Sequence, residues 1–386
     1  MTQTPSEAMV LDFSFYVPAN IRFGRGKADI IGKEVAKYGK KVFIVTGKST
    51  ARTGLLERVL GQLENEKVDY VVFDKVTQNP LTTTVEEGAS LLKECGCDSI
   101  LSMGGGSPLD AAKGISLLAK NGNSIDDYIF KRVQGDFRSY PIVAVPTTCG
   151  TGSESNGTAV LTNPKTQDKK GLAYPCLIAK SSVVDPELME TMPRDVVGPV
   201  TFDALCHAME SYLSPQANPF TEPYSTDAML YLAKYIVRAN DDIHDHEAVD
   251  SVTLASTMVG AAFFVAGLIA PHGMEHPLSG LRNIKHGRGL AALTPAIYEH
   301  SISGNPQRYA FISRVLGGKD ENDCGKAIRQ LLSRIDMEVY LSDEGFSEDD
   351  VPWLTENCWK LSKARLDLNP KPLGKDEVRQ IYEEVM

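Results

Sequence analysis

The first half of the chain alternates short apolar runs with longer amphipathic ones. Lys41 to Thr46 (KVFIVT) predicts a buried strand, and Ser49 to Glu66 the helix after it. Val68 to Phe73 predicts the next strand, followed by a helix from about Thr83 to Glu94. Ser99 to Met103 and Ile142 to Val145 are two more β-rich runs, with a helix starting near Ser107 between them. Strand and helix alternating at this spacing imply a parallel sheet with helices on both faces. Ahead of it, Phe13 to Phe23 predicts an extended segment interrupted by Pro18, free to pair at a sheet edge or with another subunit. After Val183-Val184-Asp185-Pro186 the pattern changes, and from about Pro193 the apolar spacing is helical. The expectation is an α/β domain over residues 1–190 and an all-α domain over 191–386. The most apolar stretch, Met258 to Ala270, carries two glycines and stops at Pro271, which predicts a buried helix rather than a membrane span.

Composition narrows the function classes. A chain of 386 residues is long for one core, and 42% apolar with 23% charged residues is ordinary for a globular protein. A net charge of -10 disfavours a nucleic-acid partner, which needs a basic face. Met1 to Val10 lacks the basic start and apolar run of a signal peptide. Seven cysteines, none in a CxxC pair, point to a reducing cytoplasm, with no membrane partner expected.

Two polar turns follow predicted strands. Ser99 to Met103 runs into Gly104-Gly105-Gly106-Ser107, then Pro108 and a helical pattern through Asp110 and Lys113. Strand, glycine turn and helix start together suit a phosphate group, because glycine admits close backbone approach and free amides point at the anion. The same features also describe an ordinary capped turn, and the Rossmann GxGxxG fingerprint is absent. The second turn, Pro146-Thr147-Thr148-Cys149-Gly150-Thr151-Gly152-Ser153-Glu154, gathers hydroxyls and glycines after a strand, as a ligand crevice does.

The seven histidines are unevenly placed. Asp203 and His207 lie at i and i+4 in an apolar helical pattern, and His272 and His276 repeat that spacing in PHGMEHPLSG. His286 follows in IKHGRG. One such pair alone is usually a hydrogen-bonded pair of the fold. Three segments in order within one helical region suit a carboxylate and imidazoles converging on a divalent cation. His244, His246 and His300 fall outside the pattern and are read as solvated.

Taken together, GGGSPLDAAK at 104–113, PTTCGTGSE at 146–154, VVDPEL at 183–188, DALCHAMESYLS at 203–214, HGMEH at 272–276 with HG at 286–287, and ARLDLNPKPL at 364–373 resemble the iron-containing (group III) alcohol dehydrogenase family along nearly the whole chain. The resemblance implies a dehydroquinate synthase-like architecture with the active site between two domains. It implies metal ligands at Asp203, His207, His272 and His286, and a proton relay at His276. Gly105, Gly106 and Ser107 match the pyrophosphate turn and Asp110 lies on the helix it opens. Thr147, Thr148 and Thr151 match the second nucleotide loop, and Asn79 and Lys169 further nucleotide contacts. His207 separates this chain from the zinc-dependent glycerol dehydrogenase branch. Iron(II) is the implied ion, with zinc or another divalent cation compatible with the same donors. The implied reaction is hydride transfer between NAD(P)(H) and a small alcohol or aldehyde, in a homodimer.

Three positions depart from the family pattern: Pro271 before His272, Glu275 in place of a small residue, and Lys285 in place of proline. Glu210 and Glu275 are candidates to orient ligand histidines. After KVFIVT, many NAD-using relatives carry an aspartate, whereas this chain has Gly47-Lys48-Ser49-Thr50. Lacking that carboxylate, Gly47 and Ser49 beside Lys48 predict NADP(H) over NAD(H). A non-redox metal enzyme of the dehydroquinate synthase kind, or a nucleotide-binding protein without catalysis, are the competing expectations.

Overall fold

The computed structural model describes residues 12–386. Met1 to Val10, read above for targeting signals, lies outside them. Among the described residues, eight strands form two sheets. Six of them, β1 (Ile21–Phe23), β2 (Lys41–Thr46), β3 (Asp69–Phe73), β4 (Ser99–Gly104), β5 (Ile142–Pro146) and β8 (Ser181–Val184), make one all-parallel sheet in the order β1-β8-β5-β4-β2-β3. β4, β5 and β8 are buried at every position, which is why they read as continuous apolar or small-residue runs. Helices α1 (Ile31–Ala36), α2 (Lys48–Arg52), α3 (Leu55–Asn65), α4 (Thr82–Cys95), α5 (Gly106–Asn121) and α6 (Ile125–Ile129) cover it. The chain passes from β2 outward to β3 and then to β4 on the other side of β2. The order reverses there, between Gly47 and Gly104, where open α/β sheets hold ligands.

Three local expectations change. The helix expected from Ser49 to Glu66 is two helices, α2 and α3, because Gly54 takes a left-handed φ of 76° between them. The extended amino-terminal segment supplies β1, which pairs within the chain against β8 at the sheet edge, while residues 13–20 carry no strand. An antiparallel hairpin, β6 (Thr158–Thr162) with β7 (Lys169–Ala173), was not anticipated; its strands are short and rich in Thr and Lys.

From Pro186 onward every regular element is helical: α7 (Pro186–Met189), α8 (Arg194–Leu213), α9 (Thr221–Asp241), α10 (His246–Ala266), α11 (Ala270–Arg282), α12 (His286–Ser301), α13 (Pro306–Val315), α14 (Cys324–Arg334), α15 (Val351–Leu368) and α16 (Lys375–Glu384). The apolar stretch at Met258 becomes the end of α10, packed in the helical core with α8 and α9. The helices α8, α11 and α12 each contain an internal proline, Pro199, Pro277 and Pro295. Proline leaves the carbonyl four residues earlier without its helical donor. Asp195 O, freed by Pro199, accepts from Lys285 Nζ at 3.0 Å, and Gly273 O, freed by Pro277, accepts from Cys358 Sγ at 3.5 Å.

A clasp joins the two halves of the chain. Asn79 and Asn283 both adopt left-handed backbone, with φ of 49° and 52°. Asn79 Nδ2 donates to Asn283 Oδ1 at 2.8 Å and to Ile284 O at 3.2 Å, and Gln78 Nε2 donates to the carbonyls of Asn283 and Ile284 at 3.0 Å each. The segment so gripped runs directly into His286.

Candidate active site

α8 carries Asp203 and His207 one turn apart on a fully buried face. α11 brings His272 and His276, and α12 opens on His286. The approach of α12 to α8 is permitted by Gly287: a Cβ there would lie 1.9 Å from Pro199 O. His207 Nδ1, His272 Nε2 and His286 Nε2 lie 3.5, 3.4 and 3.7 Å from Asp203 Oδ1. Asp203, His207 and His272 are near enough to share one cation, and the His286 ring centroid stands 5.1 Å from that of His272. Asp203 Oδ1 and His272 Nε2 are fully buried without a hydrogen-bond partner. Buried polar atoms are rarely left so, and two facing each other beside two more imidazoles fit a cation held among them.

Each orienting carboxylate expected from sequence is in place. Glu210 Oε1 meets His272 Nδ1 at 2.5 Å, and its other oxygen accepts from the amide of Ile269 at 2.9 Å. Glu275 Oε2 pairs with His286 Nδ1, and its Oε1 accepts from the Ser279 hydroxyl. Lys169 Nζ stands 3.4 Å from Glu275 Oε2 and 3.5 Å from His286 Nδ1, on the histidine side of the site.

The electrostatics follow from this packing. Burial works to raise Asp203, and the three imidazoles around it outweigh that and hold it well below the usual carboxylate range. Burial also works against protonated His272, yet Glu210 and Asp203 raise it to about 9. His207, with no second carboxylate, is pushed by burial down to about 3. Burial, then the cations Arg365 and Lys169, depress His276 well below the imidazole range, so it is a neutral ring at pH 7.

Opposite the histidines stand the two turns. Gly104 takes a φ of 139°, and a Cβ on Gly106 would meet Thr151 Cγ2 at 2.5 Å, so the glycine turn and the threonine loop pack on each other only because position 106 lacks a side chain. Gly105 likewise lies against Thr148, and the Thr147 amide donates to Gly104 O at 2.8 Å. Asp110 accepts from Ser153 Oγ at 2.7 Å and from the Val160 amide at 2.9 Å. Lys113, buried and not anticipated from sequence, donates to Ser153, Asn156 and Thr158, fixing the loop onto α5. A cavity of about 130 Å³ joins the two sides, lined by Asn79, Gly106, Ser107, Asp110, Thr151, Lys169 and all four expected ligand residues, together with His276, Phe263, Leu268 and Arg365. Gly47 and Ser49 lie outside it, at the end of β2, beside an ion pair of Lys48 with Asp74. His244 and His246 stand near Glu190, and His300 pairs with Glu384, away from the site. Arg365, the nearest cation to His276, was missed: its sequence context is an ordinary amphipathic helix.

Comparison with known proteins agrees with this geometry. Residues 18–186 match the model of the iron-containing alcohol dehydrogenase family, and residues 200–386 that of the Fe-containing alcohol dehydrogenase family, C-terminal. The chain is 33% identical to alcohol dehydrogenase 4 of Schizosaccharomyces pombe, over 99% of this chain and 91% of that one. It is 32% identical to 1,3-propanediol dehydrogenase of Citrobacter freundii, over 96% and 98%. The crystal structure of an alcohol dehydrogenase from an archaeal halo-thermophile of a Red Sea brine pool superposes with a TM-score of 0.94 at 30% identity, covering 98% of this chain and all of that one. The buried carboxylate–imidazole cluster thus sits in a chain that belongs to the iron-containing alcohol dehydrogenases, oxidoreductases that act on CH–OH groups.

Proposed function

We propose that Asp203, His207, His272 and His286 hold one divalent ion, iron(II) by preference, beside a dinucleotide resting on the turn Gly105–Ser107. In this reading Thr147, Thr148 and Thr151 form the second wall of the nucleotide site, and Asp110 holds that wall in place. Asn79 offers its remaining Oδ1, and Lys169 contacts the cofactor near the ion. Residues 1–190 carry the nucleotide and 191–386 the ion. The reaction is RCHO + NAD(P)H + H⁺ ⇌ RCH2OH + NAD(P)⁺. The observation that carries the proposal is the pair of buried, unsatisfied atoms Asp203 Oδ1 and His272 Nε2, 3.4 Å apart in a cavity that also reaches Gly106 and Ser107.

A divalent ion there supplies Lewis acidity at the substrate oxygen, and the nicotinamide gives or takes the hydride. Zinc or another divalent ion suits the same donors. Glu210 and Glu275 hold the Nδ1–H of His272 and His286, which leaves each Nε2 lone pair turned toward Asp203. Phe263 stacks on the His207 ring at a centroid distance of 4.5 Å and fixes its plane. His276, neutral and inside the cavity, accepts the alcohol proton at a ring nitrogen and passes it toward solvent. Reconstitution with iron(II) without oxygen, followed by a panel of alcohols and aldehydes with both cofactors, tests the reading. No NAD(P)H turnover by the metal-loaded protein would overturn it.

We further propose NADP(H) as the preferred cofactor, a homodimer as the assembly, and the cytoplasm as the compartment, the last in keeping with seven free cysteines. The cofactor preference rests on the absent carboxylate at position 47. An aspartate placed there is a poor test, because a Cβ on Gly47 would stand 2.9 Å from Val76 O. Lys48 is exposed and faces Asp74, so Lys48→Ala uncovers a carboxylate beside the ribose end. The wild type should favour NADPH in kcat/KM, and Lys48→Ala should lower the NADPH/NADH ratio about 10-fold. A wild-type preference for NADH rejects the idea.

A further inference from the structure

The cavity contains a guanidinium that the reaction so far does not use. Arg365 extends from α15 to line it beside His276, His272, Lys169 and Leu268. Its Nη1 lies 3.1 and 3.3 Å from the two ring nitrogens of His276 and 3.4 Å from the carbonyl of His272. No carboxylate pairs with it among the described residues. The two nearest in charge, Glu210 and Glu275, are already spent on His272 and His286. Other part-buried arginines of this molecule behave differently: Arg25 is paired with Glu190 and Asp250, Arg288 with Glu344, and Arg308 with Glu222. Nor is Arg365 compensated from α15 or the facing hairpin. Lys170 on β7 adds like charge, and the neighbouring Lys169 is shared with Glu275.

A part-buried guanidinium without a counter-ion is costly unless something anionic arrives to meet it. The phosphate turn is on the other wall, so the dinucleotide's charge is cared for elsewhere. What remains at the histidine end of the cavity is the substrate. We infer that the substrate is a short aldehyde or alcohol whose far end carries an oxyanion, received by Arg365 while its reacting oxygen faces Asp203 and the three imidazoles. The inference rests on the hydride-transfer reading and adds to it the charge of the substrate. The planar fork of Arg365 suits a carboxylate, sulfonate or phosphate end alike.

The test is a ratio measured on the metal-loaded enzyme with its preferred cofactor. Reduction of 4-oxobutanoate is compared with that of pentanal, its uncharged counterpart, and 2-oxoethanesulfonate and 2-oxoethyl phosphate are run alongside to identify which oxyanion is favoured. The wild type should prefer the best anionic aldehyde by about 100-fold in kcat/KM, mostly through KM. Arg365→Met should cut that ratio about 10- to 100-fold, and Arg365→Lys should restore part of it. A residue that merely steadied His276 would lower anionic and neutral turnover together and leave the ratio unchanged, which overturns the inference. Turnover of pentanal with no preference for any anion in the wild type also overturns it while leaving hydride transfer standing. No turnover of any aldehyde overturns both.

Discussion

Glu275, a candidate from sequence to orient a histidine, pairs with His286. As a fully buried carboxylate it satisfies three donors: the Ser279 hydroxyl, His286 Nδ1 and, more distantly, Lys169. Gly289 makes room for it, since a Cβ there would lie 2.9 Å from Glu275 Cγ. Removing it releases the His286 ring to turn and leaves Lys169 beside the ion site without its partner. Glu275→Ala should therefore weaken divalent-ion affinity by about 10- to 100-fold, read by competition with a chromophoric chelator. Glu275→Gln, which keeps an acceptor for His286, should lose less. Equal affinity in wild type and alanine variant would remove Glu275 from the ion's support. The i, i+4 spacings of Asp203/His207 and His272/His276 were legible because helix geometry turns spacing into a shared face. Arg365 was not legible: a single arginine in KARLDL carries no periodic signal, and only the packing of α15 on α11 discloses where it points.

Among the elements, β2, β4 and β5 were readable from sequence because burial along their length leaves a nearly continuous apolar run, whereas β8, half of it serine, was not read as a strand. The β6–β7 hairpin was not legible either, because its short strands, TAVLT and KKGLA, mix polar and apolar positions and depend on α5 and α11 for their place. The contact between α10 and the threonine loop is similarly invisible in a one-dimensional pattern. Gly152 takes a φ of 54°, and a Cβ on Gly260 would lie 2.2 Å from Gly152 O, so helix and loop touch backbone to backbone. Gly260→Ala should push the loop away from α10 and with it Thr151 from the glycine turn. The expected cost is about 1 to 3 kcal/mol of stability, typical of overpacking, with a weaker dinucleotide Kd. Thermal unfolding and cofactor titration of the same sample check both, and an unchanged Kd would show the loop to be held from α5, by Lys113 and Asp110, without help from α10.

For the whole molecule, the amino-terminal edge of the main sheet bears on assembly. β1 closes one side of the main sheet, and residues 12–20 before it alternate in exposure. Phe13 and Phe15 pack on Phe220 at centroid distances of 5.6 and 5.5 Å, yet Phe220 remains 56% exposed and Tyr16 beside this segment 61%. An apolar strip next to an unpaired sheet edge is suited to a second copy of the chain. Light scattering after size exclusion should give a dimer for the wild type, and Phe220→Asp should shift it toward monomer at micromolar concentration. A wild-type monomer would refute the assembly.

The asparagine clasp has a further consequence. Gln78 and Asn79 follow β3, while Asn283 and Ile284 lead into His286, so on the proposed reading one bridge would link the nucleotide and ion sites. Linkage is reciprocal: if the nucleotide steadies that bridge and so tightens ion binding, the ion must tighten nucleotide binding by the same factor. The ion would then be held most weakly in the moments between one cofactor leaving and the next arriving.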